Sequence, residues 1–371
     1  MRAVAEANTN IALVKYWGKN DAALNLPAVP SLSLTLDGLL THTEVDLDGK
    51  YAADALLLNG VAETGESLAK VSRHLDRVAA ALGISGRPRA EVRSHNNFPT
   101  AAGLASSASA FAALTVAAAA ALKPGFALDD DWRSRLAILA RQGSGSAARS
   151  LYGGLCVLGT GTPGQIDSAR ATPLLAPSDW PELRLVIGVA SEEKKATGST
   201  DGMRHTAESS PYFAPFVAAA PADLAAAIAA VKARDLEKLG HVAERSALRM
   251  HASALAADPA VVYLRGATVE GLHALRALRR RGVSAFFTCD AGPHPNPAKA
   301  SLGQRLHCLE PDPATSSVVE RIYRMYADGA GLRYIAQQLT DEGVPSPSQY
   351  DPARNRHRDP RGWSHSAIRA I

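Results

Sequence analysis

The chain has 371 residues, enough for two or three domains, and is 46% apolar and 20% charged. That balance excludes a disordered chain, and a formal charge of +4 admits anionic small molecules without demanding nucleic acid. Three dispersed cysteines, Cys156, Cys289 and Cys308, form no CxxC; this argues against a disulfide framework or zinc site and for a reducing cytoplasm. The N-terminal MRAVAEANTN has no signal-peptide core, and the apolar run at 108–122 is too short and too alanine-rich to span a bilayer.

Residues 1–60 alternate apolar runs with turns, and SLSLTL has the period of two of a strand with one buried face. Helical spacing follows at 66–82, then a strand and loop in RAEVRSHNNFP, then a glycine-containing turn entering a long helix in PTAAGLASSASAFAALTVAAAAAL. WRSRLAILARQ reads as a helix, GSGS interrupts it, and a second helix start follows. LRLVIGVA at 183–190 reads as a strand, 222–256 and 258–281 as helices, and VSAFFTCD at 283–290 as a strand. This mixture predicts an α+β protein with two lobes divided near Trp180 to Leu183.

Three segments carry chemistry. In PTAAGLASSASA, Gly103 and the small Ala105 let the backbone approach a ligand, and Ser106 and Ser107 sit where a helix begins. Orphan amides, helix dipole and hydroxyls there converge into a phosphate cradle, with an N-capped alanine helix as the bland alternative. No GK[ST] is present, so this is not a Walker loop. RQGSGSAARSLYGG gathers Ser144, Ser146 and Arg149 among glycines that disfavour helix by about 1 kcal/mol each. The planar fork of Arg149 suits a carboxylate or phosphate, and a solvated helix arginine is the alternative. NIALVKYWGK places Lys15, Tyr16 and Lys19 within five residues, a cationic patch suited to a polyanion. Further on, Asp290 stands at the end of an apolar segment before a Gly-Pro turn, where a turn-forming aspartate competes with a catalytic acid.

Taken in order, "NIALVKYWGK", "LNLPAVPSLSLTL", "SHNNFPTAAGLASSASAFAAL", "RQGSGSAARSLYGG", "TGSTDGM" and "FTCDAGP" resemble the diphosphomevalonate decarboxylases of the GHMP kinase superfamily over residues 1–293. The resemblance implies an N-terminal lobe like ribosomal protein S5 domain 2 (1–182) and a ferredoxin-like C-terminal lobe (183–304). It also implies a cytoplasmic homodimer and ATP-dependent decarboxylation of mevalonate 5-diphosphate to isopentenyl diphosphate. By matching motif, Gly103, Ala105, Ser106 and Ser107 would hold ATP phosphates with Mg²⁺, and Tyr16, Lys19, Ser144, Ser146, Ser199 and Thr200 the substrate diphosphate. Arg149 would hold the C1 carboxylate, Asp290 would face the C3 hydroxyl, and Lys15 would lie beside that hydroxyl or Asp290. A GHMP kinase that phosphorylates without decarboxylating is the nearest alternative.

Beyond His294 the family ending is not found. Prolines 293, 295 and 297 mark a seam, and residues 305–371 resemble part of the recombinase domain of large serine recombinases. The simplest account is a hybrid reading frame, with an inactive remnant carrying a DNA-binding fragment as a further alternative. Residues 313–327 and 331–342 are expected as two short helices with apolar sides whose only partner is the second lobe, docked there in part through residues near 305–326, with 349–362 mobile. Arg354, Arg356, Arg358, Arg361 and Arg369 are offset by Asp351 and Asp359, so tight DNA binding by this tail is not expected.

Overall fold

The structure, a computed structural model, describes residues 1–98, 105–188, 197–288, 316–346, 349, 362–364 and 368. It divides into two compact units, Met1–Arg305 and Leu306–Ile371.

The first unit is built on one mixed sheet of β1 (Arg2–Val14), β4 (Ser31–Asp48), β5 (Ala55–Leu58), β6 (Val61–Glu63), β7 (Arg89–Asn96), β8 (Leu155–Leu158) and β9 (Ala171–Leu175). Its order is β6-β5-β7-β4-β8-β9, with β1 also on β4, and β5–β7 is its parallel pair. A small hairpin of β2 (Lys19–Asp21) and β3 (Leu26–Pro27) stands apart. The eighteen residues of β4 pair with β7 at one end and β8 at the other, both antiparallel. The expected SLSLTL strand is the start of this element.

Three helices cover the sheet: α1 (Gly65–Ala81), α2 (Ser106–Leu122) and α3 (Asp130–Gly143). Alanine on every side leaves α2 apolar all round, as a helix enclosed by its neighbours must be. Its Ala112, Leu114, Ala117 and Ala118 form the core with Leu47, Leu75, Val92 and Leu136. Asp129 caps α3 by accepting the Trp132 N–H. The second helix start expected after GSGS is a short 3-10 turn, Ala147–Leu151.

The described part of the second lobe is helical: α4 (Ser199–Ser209), α5 (Phe213–Lys232), α6 (Leu236–Leu255) and α7 (Gly266–Arg280). The helix expected over 222–256 is two helices. Arg234, with φ of 52°, turns the chain, and Asp235 starts α6 by capping the Lys238 N–H. α5 begins nine residues before the expected start and carries Pro221 inside it, a residue that reads in sequence as a helix start. By length and composition α5 is the one described helix apolar enough to cross a membrane. Its Ala227, Ala230 and Val231 are buried with Leu13 and Val14 of β1 and Leu239, Val242 and Ala243 of α6.

Residues 183–188 and 283–288 do not form the strands expected of them, and 189–190 and 289–290 lie outside the described residues. Alternation predicts which side of a strand is buried; a neighbouring chain must still supply the ladder, and none does so here among the described residues. Leu183 and Leu185 face apolar clusters, while Val186 is 91% exposed.

In the second unit α8 (Ser316–Ala327) and α9 (Leu332–Asp341) appear where helices are expected. Their apolar faces find partners within the unit: Ile322, Ile335, Ala336, Leu339 and Ile368 make a core flanked by Met325 and Trp363. The expectation that these faces have only the second lobe to cover is corrected by that core. The segment expected to be mobile lies outside the described residues except at Gln349 and Gly362.

Candidate active site

Arg149 is the anchor. It is 1% exposed, on the 3-10 turn, and reaches back to the strands below. Its Nε donates to Ser33 Oγ at 2.9 Å and to Asn10 Oδ1 at 3.4 Å, and its Nη1 donates to Ser31 Oγ at 2.7 Å. Ser31 and Ser33 are fully buried and share one face of β4 through its period of two. Asn10 is itself fixed, donating to Ser150 Oγ at 2.7 Å and to the Ser146 carbonyl at 3.2 Å. These three neutral partners aim the guanidinium without themselves neutralising it. A solvated helix arginine is excluded.

Tyr16 stands over this group, its ring 5.9 Å from the Arg149 guanidinium carbon. Its hydroxyl is buried without a hydrogen-bond partner among the described residues. Burial pushes its pKa up to about 12 against the opposing charges of Arg149 and Arg141, so it is a neutral donor near neutrality. Gly145 is required here, because a Cβ at that position would lie 2.2 Å from the Tyr16 hydroxyl oxygen. Lys15 is 2% exposed, and its backbone N–H donates to Ser246 Oγ at 2.9 Å.

The two serine-rich segments meet. Ser107 Oγ and Ser144 Oγ are 3.1 Å apart, joining the start of α2 to the end of α3. At the N-cap of α2, Ala105 holds φ of 51° and offers no side-chain cap; the Ala108 N–H turns back to the Ala105 carbonyl, and the helix start with its dipole suits an anion. Behind them Gly143 packs on Phe111, where a Cβ would lie 2.1 Å from the ring.

Lys19 begins β2, its pKa held below the ordinary lysine value first by burial and then by the charge of Lys70, with Asp201 opposing. Asp201 lies in the first turn of α4 beside Ser199 and Thr200, both exposed. The structure therefore brings Tyr16, Ser144, Ser146 and Arg149 together, with Ser106–Ser107 alongside. Gly103 and Asp290 lie outside the described residues.

Sequence reasoning missed Asn10, Ser31 and Ser33, although polar residues at alternate positions of a strand expected to be half buried were a usable signal. It also missed Arg141, fully buried, which donates to the carbonyls of Leu24, Asn25 and Ile166 and ties the β2–β3 turn to α3.

Comparison with known proteins gives this constellation a family. Residues 7–169 match the diphosphomevalonate decarboxylase-like N-terminal domain, 185–298 the mevalonate 5-diphosphate decarboxylase C-terminal domain, and 313–371 the recombinase family. The diphosphomevalonate decarboxylase of Gibberella zeae is 38% identical over 308 residues, covering 79% of each chain. The human diphosphomevalonate decarboxylase is 36% identical, covering 78% of this chain and 74% of its own. The crystal structure of mevalonate diphosphate decarboxylase from Staphylococcus aureus has a TM-score of 0.70 at 37% identity, covering 79% of this chain and 86% of that one. A structure described as MDDEF in complex with MVAPP, AMPPCP and magnesium has a TM-score of 0.69 at 35% identity, covering 79% and 87%. The fold of the first unit is the α+β fold of these enzymes, GHMP kinase-like, and the chain belongs to the diphosphomevalonate decarboxylase family.

Proposed function

We propose that the first unit converts mevalonate 5-diphosphate and ATP to isopentenyl diphosphate, ADP, phosphate and carbon dioxide. The observation that carries this reading is the buried Arg149, held by Ser31, Ser33 and Asn10 beneath a Tyr16 hydroxyl that has no partner among the described residues. A fixed cation and a neutral donor suit the two anionic ends of such a substrate, a carboxylate and a diphosphate.

The serine hydroxyls and helix amides at 105–107 fit phosphate oxygens. Ser106 and Ser107 would hold the ATP phosphates together with Mg²⁺, which neutralises charge on the transferred group when bound. Tyr16, Lys19, Ser144, Ser146, Ser199 and Thr200 take the substrate diphosphate, and Arg149 orients the C1 carboxylate. Asp290 aligns the tertiary C3 hydroxyl and accepts its proton as the γ-phosphoryl arrives, with Lys15 alongside. Phosphate then leaves with the C3–O electron pair. The C1–C2 bond breaks to release carbon dioxide, and its electrons close the C2–C3 double bond. Charge building at C3 is stabilised by the Asp290 carboxylate.

The division into 1–182, 183–304 and 305–371, a homodimeric state and a cytoplasmic location belong to the same reading. The buried, free Cys156 is in keeping with a reducing compartment.

The test is turnover of the full-length chain with substrate labelled at C1. Labelled carbon dioxide with stoichiometric ADP and phosphate supports decarboxylation, and its loss in Asp290→Asn with retained nucleotide binding assigns the acid. A stable phosphorylated product without carbon dioxide would make the chain a kinase instead.

A further inference from the structure

α6 touches two stretches of chain far apart in sequence, and each contact is made where the stretch has left any ladder. β1 ends its pairing at Val14, and the next backbone N–H, that of Lys15, is taken by Ser246 Oγ at 2.9 Å in a fully buried bond. Two residues before Ser246, Glu244 accepts the Phe287 N–H at 3.3 Å. Its carboxylate is itself held in the fork of Arg279 from α7. One turn earlier Gly240 makes room for the Phe286 ring, which a Cβ would meet at 2.0 Å. A third bond closes the triangle: Thr288 Oγ1 donates to the Ala12 carbonyl of β1 at 2.7 Å.

We propose that Ser246, Glu244 and Thr288 are positioning residues that set the end of β1, bearing Lys15, against the segment 286–288. In the sequence that segment leads directly to Asp290. The inference rests on the functional reading above. Its physical ground is that 283–288 joins no strand among the described residues, while the bonds from Glu244 and Thr288 do hold it. Losing one of them leaves a polar group without that partner, a local cost, and its larger effect is on position. A displacement of about 1 Å between reacting groups costs on the order of 10²-fold in rate.

The experiment compares the full-length wild type with Thr288→Val, Thr288→Ser and Ser246→Ala. Thr288→Val keeps the shape and loses the donor, and Thr288→Ser keeps the donor. The expected result is a fall in kcat of about 10- to 100-fold in Thr288→Val and Ser246→Ala. KM for both substrates should stay within about threefold, Tm should fall by no more than about a few degrees, and Thr288→Ser should recover most of the activity. Wild-type kcat in Thr288→Val, an equal loss in Thr288→Ser, or a loss that only tracks the unfolded fraction overturns the proposal. Amide exchange separates this from failure of the functional reading. If the wild type releases no carbon dioxide, that reading falls, yet the triangle still predicts exchange about fivefold faster at Lys15 in Ser246→Ala and at 286–288 in Thr288→Val. Exchange unchanged at those positions removes the triangle whatever the activity.

Discussion

Acid should weaken the first unit through one histidine. His74 of α1 is fully buried, with Nε2 2.8 Å from Thr115 Oγ1. The Thr115 hydroxyl donates to the Phe111 carbonyl, so it accepts from His74, which places the ring proton on Nε2. Nδ1 is buried with no partner among the described residues, and the Phe111 ring stands edge-on 5.1 Å away. A second proton would therefore put an uncompensated cation in the core. Burial, followed by the charges of Arg77 and Lys70, lowers the pKa from 6.5 to about 3. Between those values the unfolded chain binds a proton that the folded one refuses, so stability falls as pH drops through 6.5 and levels off only near 3. At pH 5 the gap of 1.5 units corresponds to about 2 kcal/mol. The assay is urea unfolding at pH 7 and pH 5 for wild type and His74→Gln, read as a difference of differences. The substitution alone will destabilise, but it should abolish about 2 kcal/mol of the pH dependence. Equal pH dependence in both proteins would refute the tautomer and burial argument.

Three further outcomes are expected. Arg149→Lys should lower kcat on the order of 10²-fold while nucleotide affinity, read by equilibrium titration, stays within about threefold; a loss confined to nucleotide affinity would move Arg149 to the ATP site. Because Lys19 titrates below an ordinary lysine, KM for the diphosphate substrate should climb as pH rises through that lowered value, and Lys19→Arg should carry the climb to higher pH. Gly154→Ala should cost about 1–2 kcal/mol for the left-handed backbone at φ of 70°, and more because its Cβ would lie 2.2 Å from the Leu175 carbonyl oxygen; unchanged thermal unfolding would contradict this.

The sheet lobe was legible because its segments carry their own local rules. SLSLTL alternates, 66–82 repeats at helical spacing, and the alanines after Ser106 leave little but a buried helix. The second lobe was harder. Pro221 reads like a helix start, Arg234 carries no sign that it will take a left-handed turn, and neither 183–188 nor 283–288 reports whether a partner strand exists. The site shows the same split. Glycine and serine strings singled out Ser107 and Ser144, which the fold sets 3.1 Å apart. The residues that aim Arg149, however, lie 116 or more positions away in sequence, and only tertiary structure brings them under it. In the tail, helical spacing found both helices, but the residues that close their core were beyond its reach: Trp363 and Ile368 arrive from a later stretch.

That 183–188 joins no ladder among the described residues also bears on how long the chain survives in a cell. Proteases bind their substrates as an added strand, and a segment that joins no strand among the described residues, with Arg184 and Val186 exposed, is already close to a form they can take. Arg184 is exposed, and Val186 two residues on is almost wholly so, which makes the Arg184–Leu185 bond a favoured place for a trypsin-like cut. Such a nick would not separate the halves. Leu13 and Val14 from one side of it remain buried with Leu239, Val242 and Ala243 from the other. A cleaved molecule would keep its shape under native conditions and come apart only in denaturant, so its lifetime would be set by how fast β1 and α6 part.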